Sequence, residues 1–147
     1  MSNNIVPTWF RVVSILAVIW NALGVAAYLM EVTMTPETLA AMPPEQRALY
    51  ETTPAWVTGA FAIAVFAGFA GSVLLALRNA KALPLLVVSL AAAVLQMGYQ
   101  FGVAKVASVM GPTSMIMPAV IIVIGAALVW LSLHARQSGW TVSASAR

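Results

Sequence analysis

The sequence predicts an all-α, four-helix transmembrane bundle, with both termini on the cytoplasmic side and one longer outer loop. Three observations carry that expectation. The chain is 62% hydrophobic and only 7% charged, where an ordinary soluble domain has roughly 25% charged residues. Its apolar residues fall into four unbroken runs, at about 9–30, 55–77, 82–103 and 114–135. Each run is about 22 residues long, or roughly 33 Å of helix at about 1.5 Å per residue, matching a hydrocarbon core of about 30 Å. Helix follows from the medium, because every backbone N–H and C=O in lipid must find its partner internally. A membrane barrel would instead show alternating segments of about 10 residues. Residues 1–147 thus form a single transmembrane domain, with an outer loop at 31–54 and a cytoplasmic tail at 136–147.

The first run begins after Thr8 and carries one charge, Arg11, near enough to the end to snorkel to the interface. Met1–Thr8 has no Lys or Arg, and the run exceeds the apolar stretch of a signal peptide, so it reads as a retained helix. One face carries Ser14, Ala17, Asn21, Gly24, Tyr28 and Glu31, in alternating steps of three and four. A small and polar stripe of this kind turns inward in lipid.

The outer loop holds all four acidic residues, Glu31, Glu37, Glu45 and Glu51. Thr35-Pro36-Glu37 reads as a helix start and Pro43-Pro44 as a break, with a second short helix from Pro44 to about Glu51. Leu39, Met42, Leu49 and Tyr50 give these turns an apolar face, suited to a cap, a lid or a docking surface. Thr53-Pro54 then reads as N-cap and first-turn proline of the second span.

The second run has small residues Ala60, Ala64, Gly68, Ser72 and Ala76 at spacing four, a ridge that lets another helix backbone approach closely. Asn79 precedes the third run, which carries Ser89, Ala92, Gln96, Tyr99 and Gln100 on roughly one face. Gly111-Pro112-Thr113-Ser114 leads into the fourth, which ends near His134. Trp9, Trp56, Trp130 and Trp140 lie near run ends, where indole prefers the headgroup region. Arg11, Arg78, Lys81, Arg136 and Arg147 fall on one side and only Arg47 and Lys105 on the other, which places the termini inside.

Asn21, Gln96 and Gln100 are the costliest groups to leave facing hydrocarbon. They serve either as interhelical hydrogen-bonding glue or, with Tyr28, Tyr99 and Glu31, as an outward-opening polar pocket. Glu31 either marks the interface or pairs with Lys105 or Arg47. The chain has no Cys, no Asp and a single His, so no metal-ligand set is legible. Phosphate-binding glycine loops and nucleophile motifs are absent. These features predict no enzyme, no catalytic residues and no cofactor. The scattered positive charge argues against nucleic acid; the apolar runs predict a lipid bilayer as partner, and the small-residue ridge and outer loop a protein partner or a second copy.

Four local patterns resemble one group of proteins. They are Trp20-Asn21-x-x-Gly24, Thr35-Pro36-Glu37, Pro54-Ala55-Trp56 and Arg78-x-x-Lys81-Ala82. The chain, up to about Arg136, looks like small four-helix bacterial inner-membrane proteins, DoxX-like in size and span count, some of them loosely labelled sugar transporters. That resemblance implies the architecture and a bacterial inner membrane. The functional expectation is a non-enzymatic accessory or complex-forming subunit that uses the Ala60–Ala76 ridge and the outer loop as contacts. The alternative is a small-solute transporter, with sugars among the candidate solutes, or a ligand-binding membrane protein built on the Asn21/Gln96/Gln100 face.

Overall fold

The computed structural model describes residues 5–142; Arg147 and the tail beyond 142 lie outside them. The described chain forms seven α-helices: α1 (Thr8–Val32), α2 (Pro36–Ala40), α3 (Pro44–Glu51), α4 (Ala55–Ala76), α5 (Ala82–Gly98), α6 (Val106–Met110) and α7 (Ile116–Gln137). A π-helical turn at Tyr99–Val103 extends α5, and a 3-10 turn at Pro112–Met115 leads into α7. Four of these helices, with those extensions, are long and apolar enough to cross a membrane: Thr8–Val32, Ala55–Ala76, Ala82–Val103 and Pro112–Gln137. The protein is therefore an all-helical, four-span membrane protein. The outer loop folds as its prolines require, with Pro at the first position of both α2 and α3.

Two of the expected caps differ. Thr53 does not cap α4; its hydroxyl turns back to donate to the Leu49 carbonyl at 2.6 Å, closing α3 instead. Pro54 itself occupies the N-cap position of α4 and fixes the extended entry with φ −64°. Asn79 likewise does not start α5, whose N-cap is Lys81. The Asn79 Oδ1 accepts from the Lys81 backbone N–H at 2.9 Å and tightens the turn between the spans.

In the spanning bundle α4 is the central element. It packs against α1 on one side and α5 on the other, and α5 in turn packs against α7. The burial follows: 39% of the apolar window of α4 is buried, against 11% in α1 and 17% in α7. The outer helices therefore turn most of their Ile, Val and Leu side chains outward, including Ile15, Leu16, Ile19 and Val123, which suits hydrocarbon as solvent. Ala60, Ala64, Gly68 and Ser72 are buried, joined by Val57, Gly71 and Leu75. Ala76 is only half-buried, because residues four apart drift by about 40° per step on a helix of about 3.6 residues per turn. This ridge is spent inside the chain on α1 and α5, so it does not present a free contact to a partner.

The main cluster of buried apolar side chains reaches the end of the bundle where α1 begins and α7 ends. Val6, Phe10, Leu75, Leu86, Leu128 and Leu131 form the core there, with Trp140 packed against them. Trp140 meets Trp9 at 5.7 Å, Phe10 at 5.4 Å and His134 at 5.2 Å between ring centroids. His134 also stacks flat on Trp130, at 5.3 Å. Tryptophans expected at the headgroup level are thus bound into one belt. At the opposite end Trp56 meets Tyr99 edge-on at 5.4 Å.

Two helix ends hold this belt. α4 closes in a Schellman motif, with Asn79 N–H bonded to the Leu74 carbonyl and Arg78 N–H to the Leu75 carbonyl. α7 closes the same way through Trp140 to Ala135 and Gly139 to Arg136. The left-handed residue is Gly139 in α7, with φ 69°, but Arg78 in α4, with φ 60°. A non-glycine residue costs roughly 1 kcal/mol there. Arg78 has a compensating role: its Nε donates to the Trp140 carbonyl at 2.7 Å, and its own carbonyl accepts from Val142 N–H at 2.7 Å. The tail is thereby clasped to the turn between α4 and α5. Gly139→Ala has no such compensation, so it is expected to destabilise the protein by about 1 kcal/mol. The loss is read as a lower melting temperature in detergent.

Candidate functional site

Near the middle of the bundle the packing gives way to a cavity of about 350 Å³. All four spans line it. α1 contributes Trp20, Asn21 and Gly24; α4 contributes Phe61, Ala64 and Val65; α5 contributes Ser89, Ala93 and Gln96; α7 contributes Met117, Ile121 and Gly125. Asn21 and Gly125 lie near the centres of their candidate spans, so the cavity lies near mid-length of the bundle. α1 and α7 both reach it without packing closely on one another. Leu23 and Met117 stand on its wall yet are 63% and 58% exposed, so the cavity opens sideways, through the seam between α1 and α7.

Small residues make room for the polar ones. Gly68 lies where α1, α4 and α5 converge. A Cβ placed there would overlap the Asn21 Oδ1 and come within 2.8 Å of the Ser89 Oγ. One turn away, a Cβ at Gly71 would come within 3.2 Å of the Leu86 backbone nitrogen. The Asn21 Nδ2 donates to the Ala17 carbonyl at 2.9 Å, within its own helix. The Ser89 hydroxyl donates across helices to the Ala64 carbonyl at 2.6 Å, which ties α5 to α4. Gln96 is the exception. The residue is only 7% exposed, lines the cavity, and its amide makes no hydrogen bond to the described residues. The amide atoms are not sealed within protein, as the Thr141 Oγ1 is, but keep open surface.

The structure brings together two of the six residues expected to form a polar pocket, Asn21 and Gln96. Tyr28 is taken up by an aromatic trio, edge-on to Phe61 at 5.3 Å and to Phe66 at 5.7 Å. Tyr99 and Gln100 do not line the cavity. Tyr99 N–H still bonds to the Leu95 and Gln96 carbonyls, and the two residues open a π turn that runs to Val103. Ala104 N–H reaches back five residues to the Tyr99 carbonyl at 2.9 Å, so the helix widens from Tyr99 onward. Tyr99 turns instead to Trp56. Glu31 is half-buried and pairs with neither Lys105 nor Arg47. Arg47 lies 3.5 Å from Glu51 instead, one turn along α3, an exposed pair worth about 0.3–0.5 kcal/mol. The pocket therefore does not run outward to a charged mouth; it is a lateral, mostly apolar chamber with an amide on its wall.

No family model, curated protein or solved structure matches the chain. Among the described residues no group of three or more His, Cys, Asp or Glu residues is placed to hold a metal ion. In the outer loop, Thr35 caps α2 by accepting from Thr38 N–H at 3.3 Å. Glu37 sits below the usual carboxylate range because its backbone N–H and the Thr35 hydroxyl bond to it. Ser89 and Gly125 complete the chamber, and neither was singled out as a pocket residue from sequence. The serine was visible on the Gln96 face, but its bond to the Ala64 carbonyl depends on how α4 and α5 meet.

Proposed function

We propose that this chain is a non-enzymatic ligand-binding protein of a bacterial inner membrane, with both termini cytoplasmic, that holds a small molecule in the chamber between its four spans. The observation that carries this reading is Gln96. An amide with donors and an acceptor lies buried against a cavity with no protein partner, and such a group is costly to leave unmet in an apolar medium. The chamber's size falls within the range of small-molecule sites, about 300–1,000 Å³. The five-to-two split of basic residues supports the sidedness. The accessory-subunit reading loses its main contact, because Ala60, Ala64, Gly68 and Ser72 are buried within the chain.

The test is native mass spectrometry of the protein released from mild detergent. Wild type is expected to retain a small molecule. Gly24→Leu is expected to lose it, since a Cβ at Gly24 meets only Val65 at 3.6 Å and the rest of the side chain occupies the chamber. A stoichiometric protein partner with no retained small molecule in either form would favour the complex-forming subunit.

A further inference from the structure

We propose that the chamber selects an uncharged, membrane-dissolved molecule with a single hydroxyl head, held at Gln96, whose apolar body enters through the seam between α1 and α7. This rests on the ligand-binding reading above and names the ligand's chemical class. Each class of occupant leaves a different balance of polar groups. A plain hydrocarbon chain, the default filler of a groove open to lipid, leaves the Gln96 amide unmet. A charged head finds no counter-ion, since no Asp, Glu, Lys, Arg or His lines the chamber, and burying an unpaired charge is far costlier than burying an amide. A sugar brings a ring of hydroxyls against a wall whose side-chain polar groups include only Asn21, Ser89 and Gln96 as amide or aliphatic hydroxyl groups. Two of these already donate to backbone carbonyls. One hydroxyl, at once donor and acceptor, matches either end of the Gln96 amide and leaves the remaining wall to apolar contact.

The route follows from the same geometry. Leu23 and Met117 at the seam are exposed and apolar, so a molecule already dissolved in the bilayer reaches Gln96 without crossing water. At the Trp140 end the aromatic belt packs over the buried cluster of Phe10, Leu75 and Leu131 and covers that approach.

The experiment uses the full chain in phosphatidylcholine nanodiscs with three photoactivatable probes: hexadecanol, hexadecane and glucose, each bearing a diazirine. Cleavage after Lys81, Lys105 and Arg136 separates the chamber-lining peptides 82–105 and 106–136. Hexadecanol is expected to label them about ten-fold more than hexadecane, the ratio set by one hydrogen bond to a buried amide. Gln96→Leu is expected to reduce hexadecanol labelling to the hexadecane level, and Gly24→Leu to suppress both while leaving Gln96 in place. Equal labelling by alcohol and alkane, unaffected by Gln96→Leu, overturns the proposal, with lipid chains or water filling the chamber. Labelling by the glucose probe that Gly24→Leu blocks overturns the ligand class but keeps the binding site. Failure of every probe, with no small molecule retained in mass spectrometry, overturns the binding reading as well.

Discussion

Gly68→Leu is expected to disrupt the bundle, lowering stability by about 3 kcal/mol or more. Even the first added carbon overlaps the Asn21 Oδ1 and crowds the Ser89 Oγ. Both of those side chains are held by bonds to backbone carbonyls, so neither yields without breaking one. The remaining atoms of leucine then force α1 and α5 away from α4. Helix association in lipid gains nothing from a hydrophobic drive and relies on close packing and hydrogen bonds, so the lost contact is not recovered by sliding. The measurement is thermal or denaturant stability in a fixed detergent, alongside Gly59→Leu as control, where an added Cβ meets nothing within 4 Å. Equal stability of the two variants would show that the convergence at Gly68 is looser than described.

Gln96→Leu is expected to act in the opposite direction on the empty protein. Replacing a buried, unpartnered amide by an apolar side chain of similar length removes a desolvation cost of about 1–3 kcal/mol. The variant should melt higher than wild type after exhaustive detergent exchange. With a hydroxyl-bearing ligand bound the order should narrow or reverse, because wild type binds it more tightly by the hydrogen bond to Gln96. A stabilising change that removes the preference for a hydroxyl separates a site residue from a packing residue. If Gln96 were interhelical glue, the same substitution would lower stability under every condition.

The spans were legible because lipid imposes one strong rule on composition. Trp9–Met30 in sequence became Thr8–Val32 in structure, and Ala55–Leu77 became Ala55–Ala76. The prolines located the two loop helices, since Pro36 and Pro44 each occupy a first helical position. The packing face of α4 was visible in its small residues, although strict spacing of four carried the reading too far, to Ala76. The chamber was only half legible. Asn21 and Gln96 stood out because amides in apolar runs are expensive. Tyr99 and Gln100 lie outside the chamber's lining, Tyr99 against Trp56, and the sequence carries no mark of the π turn that begins at Tyr99. The openness itself belongs to no residue: it arises because α1 packs on α4 and α7 packs on α5 without closing on each other. The left-handed backbone of Arg78 was equally hidden, since its stabilising partner is a carbonyl 62 residues away.

That partnership has a consequence for biogenesis. Arg78 emerges from the ribosome long before Trp140, so the strained turn waits without its stabilising contact until the final span has been made. The aromatic belt that Phe10 and Trp9 begin is completed only by Trp140, which follows the fourth span. A nascent chain halted before Gly139 therefore carries all four spans but no seal, and quality-control proteases should see it as unfinished. A reporter fused directly after Gln137 recreates that halted state, whereas one joined beyond Val142 leaves the closure intact.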